Sequence, residues 1–289
     1  MTSSDRLTPL LQRFRVRTSL FFTGTMCGTT RFPLQPGRGF LHILRRGEMT
    51  ATHREDDGAL TAIDITRPTL LFYPRPREHA FRNAPIDGSD FTCAALDFDD
   101  GETHPLLRTL PSVVVIPLEE VTGLEPVLQL LFDEVDDVRC GRRLVADRLF
   151  EVVLIQLLRW ILDHVEQLGV PAGLLTGLAD ARLTPALVAL HEEPERDWTL
   201  QTMAREARMS RSAFAAHFRE VVGLAPGEYL TQWRLTLARR LLRAGTAVSA
   251  VATEVGYGSA SSFSRAFAQH VGCSPRDWAS ASLRDAAEA

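Results

Sequence analysis

A chain of 289 residues is long enough for two ordinary domains, and a composition 45% hydrophobic and 24% charged is that of a globular protein with a core to bury. Its 32 basic residues, all arginine, are outnumbered by 36 acidic ones, and a net charge of −4 argues against a uniformly basic nucleic-acid binder. The most apolar stretch, "LFEVVLIQLLRWILDHV" at 149–165, is broken by Glu151, Gln156, Arg159 and Asp163, and the amino terminus lacks the apolar run of a secretory signal, so no membrane partner and a cytoplasmic location are expected.

From about residue 18 to 118 the apolar residues come in short bursts: "SLFFTG", "FLHILRRG", "ALTAIDI", "TLLFYP", "FTCAALDF" and "SVVVIPL". Gly, Pro and Asp punctuate them at the spacing of a small antiparallel barrel or sandwich. The period then changes. "GLEPVLQLLFDEV" and "GRRLVADRLFEVVLIQLLRWILDHVEQLG" carry Leu, Val, Ile and Phe every three to four residues and predict amphipathic helices. The second is apolar around much of its circumference, which favours a subunit contact through Leu157 and Ile161 over the alternative of an internal helix covered on two sides. "GVPAGLLTGLADARLTP" is a Gly/Pro/Ala-rich joint, after which the chain is predicted helical almost to its end. The expected parts are 1–118, a sensor-like sheet domain; 119–182, a helical dimerisation and linker segment; and 183–289, an all-α domain, which together make an α+β protein.

Charge divides along the same line. Up to residue 180 there are 19 Arg against 25 acidic residues, net −6; beyond it 13 Arg face 11 acidic residues, net +2, which makes the second part the better polyanion binder.

That second part contains a repeat. Phe214, Phe218, Gly223 and Pro226 recur 49 residues later as Phe263, Phe267, Gly272 and Pro275. In the first copy Leu200, Met203, Ala204 and Ala207 mark a short helix, Arg208 and Met209 turn, and Ser210 caps a second helix that buries both phenylalanines. Arg211, Ser212, Ala215, Ala216 and Arg219 are left toward solvent. In the second copy Val251, Ala252 and Val255 lie inside, Gly256 and Tyr257 turn, and Ser261, Ser262, Ser264 and Arg265 lie outside. "GEYLTQWRLTLARRLLRAG" joins the copies as one helix. Each copy is a helix-turn-helix.

Residues 183 to 282, with "TLQTMAREARMSRSAFAAHFREVVGLAPGEYLTQWRL" and "VSAVATEVGYGSASSFSRAFAQHVGCSPRDW", resemble the DNA-binding domain of AraC-type transcription regulators. The resemblance implies that two recognition helices enter successive major grooves about 34 Å apart, held by the connecting helix. It places Ser212, Ala215 and Ala216 of the first helix, and Ser261, Ser262 and Arg265 of the second, toward the bases. Alanine at 216 stands where a long polar side chain is common in the family; it can touch a thymine methyl but cannot pair with guanine, which leaves Arg211 and Arg219 to bind phosphates. Double-stranded DNA is the implied partner, with a homodimer and RNA polymerase as further expected ones.

"FYPRPREHAFRN" at 72–83 resembles the second cupin motif with proline in place of its glycine, and the first 120 residues look like a cupin-type sensor. The His-x-His of the first cupin motif is missing, since His42 stands alone in "LHIL"; no metal, no cofactor and no enzyme activity are therefore expected, the alternative being a metal-dependent cupin enzyme with a helical appendage. Cys27, His42, His79 and Cys93 are the candidates for sensing a small molecule or an oxidant. Cys27, beside Arg31, is the expected attacking thiolate and Cys93 its resolving partner if the fold brings them together; the bland reading makes them inert thiols and the histidines hydrogen-bonded core residues.

Overall fold

The computed structural model describes residues 5–288 apart from Asp56 and Asp100, with the side chains of Glu102 and 282–288 excepted. The chain folds into two compact units, Phe14–Val170 in one, and residues 5–13 with 171–288 in the other.

In the first unit nine strands form two sheets. They are β1 (Val16–Met26), β2 (Thr29–Phe32), β3 (Arg38–Arg46), β4 (Met49–Arg54), β5 (Leu60–Ile65), β6 (Thr69–Tyr73), β7 (His79–Asn83), β8 (Ser89–Phe98) and β9 (Val114–Pro117). One sheet has the order β1-β8-β3-β6-β9 and the other β2-β7-β4-β5, with every pair antiparallel. Between them lies a core of Met26, Phe32, Phe40, Phe81, Phe91 and their neighbours. Central strand β3 is buried on both faces, Phe40, His42 and Leu44 on one and Leu41 and Ile43 on the other, which explains its continuous apolar run. The sequence pattern missed β2, β4 and β7, whose short "TTRF", "MTATHR" and "HAFRN" carry too many polar residues to stand out as bursts.

Helices α2 (Glu125–Asp136) and α3 (Arg142–Asp163) form a hairpin against this sheet unit. Arg45 at the end of β3 pairs with Asp136 through two 2.7 Å hydrogen bonds. The Asp147 carboxylate accepts the Leu20 N–H at 2.7 Å, so α3 also closes the open edge of β1. Segment 119–182 is divided between the units: residues up to Val170, the hairpin included, go with the sheet unit and 171–182 with the other.

The second unit contains α1 (Thr8–Arg13), α4 (Leu174–Ala179), α5 (Thr184–Glu192), α6 (Leu200–Glu206), α7 (Arg211–Val222), α8 (Pro226–Arg243), α9 (Val248–Glu254), α10 (Ala260–Val271) and α11 (Pro275–Glu288). Helix α1 lies on α5 and α8: Arg13 donates to the Glu192 carbonyl at 2.9 Å and Arg240 donates to the Arg13 carbonyl. No described helix is long and apolar enough to cross a membrane.

Candidate functional site

The two helix-turn-helix copies, α6–α7 and α9–α10, are built by the same local chemistry. Ser210 accepts the Ala213 N–H and Ser259 the Ser262 N–H, each satisfying one open donor of a helix start. Gly223 and Gly272 end the recognition helices in the left-handed region, with φ of 79° and 85°. Phe214, Phe218, Phe263 and Phe267 are buried completely. The turn before each recognition helix includes a hydrogen bond reaching five residues back, Met209 N–H to the Ala204 carbonyl at 2.9 Å and Tyr257 N–H to the Ala252 carbonyl at 2.8 Å. Its left-handed residue is Arg208 in one copy, at φ 53°, and Gly256 in the other, at φ 81°.

Helix α8 spans both copies. From it Arg234 donates to the carbonyls of Pro194 and Arg196, just before α6, and lies over the Tyr257 ring in the second turn.

Of the DNA-binding candidates, Arg211, Ser212, Ala216, Arg219, Ser261 and Arg265 are exposed, while Ala215, Ser262 and Ser264 are half-buried. The Ser262 hydroxyl donates to the Ser259 carbonyl at 2.8 Å, which ties it into the cap. An open groove of 620 Å³ beside α10 is lined by Val248, Ser249, Ser261, Ser264, Ser274 and Arg276, among others. Hydroxyls and an arginine at a surface of this size suit a polyanion backbone.

In the sheet unit His42 and His79 meet, Nε2 to Nε2, at 2.9 Å. His79 Nδ1 lies 2.9 Å from the Arg77 carbonyl, which can only accept, so Nδ1 carries the proton and Nε2 is the acceptor for His42. Burial, reinforced by His79, holds His42 well below the ordinary imidazole range; burial likewise lowers His79 to about 4, against the opposing bond to Arg77. Both rings are therefore neutral at pH 7. Around them stand Phe32, stacked on His79 at 4.7 Å, Phe40, Phe81, and Tyr73, stacked on His79 at 4.1 Å. His42 Nδ1, His53 Nδ1 and the Tyr73 hydroxyl are buried without a hydrogen-bond partner among the described residues, each at a cost of about 1–3 kcal/mol. His53 and Tyr73 were missed by the sequence reading; the alternation Met49, Ala51, His53 in β4 was the signal that His53 faces inward.

Cys93 lies opposite His42 across the β3–β8 pair. Burial pushes its thiol up, away from the reactive thiolate. Cys27 is exposed and elsewhere: Met26 pairs with Ser89, so Cys27 falls beside Gly88, five residues along β8 from Cys93. Five residues of strand span about 16 Å, more than twice the roughly 7 Å that a disulfide bridges. The expected pairing of Cys27 with Cys93 is overturned by this register. The metal of the cupin fold does not fit either: among the described residues no three His, Cys, Asp or Glu side chains are arranged to hold an ion.

The described α3 also decides between the two readings of its apolar surface. Leu157 and Ile161 are fully buried within the chain, so they are core residues and not a subunit contact.

Comparison with known proteins matches residues 5–163 to a cupin family and residues 203–281 to a helix-turn-helix domain family. An AraC-like transcription regulator of Streptomyces lividans is 33% identical over 263 residues, covering 82% of this chain and 85% of the relative. Another from Streptomyces antibioticus is 39% identical over 176 residues, 60% of this chain and 57% of the relative. Among solved structures, the DNA-binding domain of AdpA, a global transcriptional factor in complex with a target DNA, is 31% identical, covers 35% of this chain and 92% of that one, and has a TM-score of 0.33.

Proposed function

The chain belongs to the AraC-like transcription regulators, and from that premise we propose that its second recognition helix does most of the base reading while the first mainly grips the DNA backbone. The observation that carries this reading is an exchange of arginines between the copies. Arg265 in α10 corresponds to Ala216 in α7, whereas Arg211 and Arg219 in α7 correspond to Ala260 and Ala268 in α10. An arginine in mid-helix can pair with guanine in two hydrogen bonds. Arginines eight residues apart, about 12 Å along the helix, suit successive contacts to phosphates. The test is binding of the full chain to duplexes selected from a random pool, over a range of salt. Log affinity should fall linearly with log salt, and Arg219→Ala should lower that slope by about one without changing base preference. A flat salt response rejects DNA as the partner.

The homodimer belongs on the outer face of the α2–α3 hairpin. Leu144 is 72% exposed, and Val145, Val152 and Leu130 are exposed with it, whereas Leu157 and Ile161 face the core. Val145→Glu with Val152→Glu should halve the mass seen by light scattering and leave the circular dichroism unchanged; an unchanged mass would place the contact elsewhere.

The effector is a small apolar or aromatic molecule carrying a polar group, received at the histidine cluster. Support comes from Phe21, the extra residue of a bulge in β1, which is 44% exposed and covers the ring of His42 at 6.0 Å. Below it lie the unpartnered atoms of His42, His53 and Tyr73. Phe21→Ala should change the response of DNA binding to such molecules; Cys27→Ser and Cys93→Ser should not.

A further inference from the structure

We propose that Thr176 and His217 are positioning residues for the first recognition helix: helix α4 of the linker latches onto the last turn of α7 and fixes how that helix is presented to DNA. The inference rests on the reading of α7 as a DNA-contacting helix.

An α-helix ends with carbonyl groups that lack an intrahelical partner. In α7 the Val221 carbonyl is one of these, and α4 supplies its partners. Thr176 Oγ1 lies 2.9 Å from it and 3.0 Å from the Gly173 carbonyl, two acceptors that share its one hydroxyl proton, and the Gly173 N–H donates to the Val221 carbonyl at 3.2 Å. The same Gly173 N–H is held by Thr176 Oγ1 at 2.8 Å, so one hydroxyl organises the whole contact. One turn earlier His217 Nε2 meets Asp180 Oδ2 at 2.8 Å, with both side chains only 20% exposed. The other oxygen of Asp180 accepts the N–H groups of Arg182 and Leu183 at 2.9 Å, which anchors this carboxylate at the start of α5. Between the two contacts Gly177 is packed under side chains: a Cβ there would stand 2.8 Å from a Leu187 methyl and 2.9 Å from a Val222 methyl. The latch begins three residues after Val170, where the sheet unit ends.

The second recognition helix has no counterpart among the described residues. At the equivalent places His217 becomes Ala266 and Val221 becomes His270, whose Nδ1 bonds the Ala266 carbonyl of its own helix at 2.9 Å. Gly272 has nothing within 4 Å of an added Cβ, while Gly223 would meet Ala172 at 3.5 Å. A feature needed merely to end a recognition helix would occur twice. This one occurs on the helix whose own side chains read bases poorly, where placement must come from outside.

The experiment starts by selecting a preferred duplex with the full-length wild type. The half-site of α10 is the half at which Arg265→Ala loses preference, and the other half is that of α7. Affinities of wild type, Thr176→Val, Thr176→Ser and His217→Ala are then measured on the intact site and on sites scrambled in either half. Thr176→Val and His217→Ala should each bind the intact site about tenfold more weakly. Their slope of log affinity against log salt should fall by about one to two as the phosphate contacts of α7 are lost, while scrambling the α10 half should cost them as much as it costs wild type. Thr176→Ser, which keeps the hydroxyl, should behave as wild type. An unchanged salt slope, a smaller cost of scrambling the α10 half, unchanged affinities, or a serine variant as weak as the valine one would each overturn the proposal, as would a lowered melting temperature with an unaltered salt slope. Should Thr176→Val fail to fold, His217→Ala still decides it. A wild type that selects no sequence would instead reject DNA recognition itself.

Discussion

Set side by side, the α6–α7 and α9–α10 copies agree wherever packing is at stake. Each has a serine cap, a pair of buried phenylalanines four residues apart, a left-handed glycine and a proline that starts the next helix. They disagree on the surface that faces outward. The first carries arginines at both ends, Arg211 and Arg219, and is tied to α4; the second carries Arg265 in its middle and lies beside an open groove. A duplicated scaffold has kept what its core requires and diverged where a ligand is met.

If the scaffold is shared in energy as well as in shape, Phe214→Ala and Phe263→Ala should cost about the same, roughly 3–5 kcal/mol each, because both rings are fully buried. Denaturant unfolding of the full chain measures this. A small cost at Phe263 alone would mean that the second copy is loosely packed and that the likeness is only geometric.

The turns offer a sharper contrast. The same left-handed position is held by Arg208 in the first copy and Gly256 in the second. A side chain there is strained, so Arg208→Gly should be neutral or stabilise by up to about 1 kcal/mol. Gly256→Ala should destabilise by at least about 2 kcal/mol, since its Cβ would also stand 2.6 Å from the Arg234 guanidinium and 2.7 Å from the Glu195 backbone. Thermal melts of the two variants decide it; similar small effects would show that the second turn yields as freely as the first.

These packing features were legible in the sequence because they are written in residue types with one purpose each. A 49-residue repeat of Phe, Phe, Gly and Pro specifies buried rings, a left-handed stop and a helix start, and the helices follow. The exposed arginines were equally legible. What was not legible depends on chain segments distant in sequence. Helix α4 lies in a Gly/Pro/Ala-rich stretch whose composition signals a joint, and only its contact with Val221 makes it a helix with a task. The same holds for His53 and Tyr73, which sit on strands of different sheets and meet only when the sandwich closes. Leu157 and Ile161 were misread for the related reason that a helix apolar on much of its circumference shows no sign of which side is covered from within. Cys27 and Cys93 are an even simpler case: strand register, which sets their separation, is not visible in composition.

Base reading should separate the copies most directly. Arg265→Ala should relax preference at one base pair by about 1–3 kcal/mol, whereas Ser212→Ala should change selectivity little, its short hydroxyl lying 3.4 Å from that of Ser210. Affinity for a set of single-base variants of the selected duplex provides the measurement. Equal, sequence-independent losses in both variants would assign Arg265 to the phosphates and erase the division of labour.

The smallest effect concerns Ser262, which the family resemblance places toward the bases. Its hydroxyl is spent locally: it donates to the Ser259 carbonyl at 2.8 Å and lies 3.1 Å from the Ser259 hydroxyl, which in turn accepts the Ser262 N–H. Ser259 supplies the cap, and the Ser262 hydroxyl bonds back to that residue within the first turn. In the first copy the corresponding residue is Ala213, and Ser210 caps α7 without such a partner. Ser259→Ala should therefore cost about 1 kcal/mol of stability and Ser262→Ala somewhat less, with no change in which base is preferred. Neighbouring Ser261 is exposed and makes the useful control, because its loss should leave stability alone. A Ser262→Ala variant that melts as wild type but prefers a different base would return Ser262 to the reading surface and leave the cap of α10 to Ser259 alone.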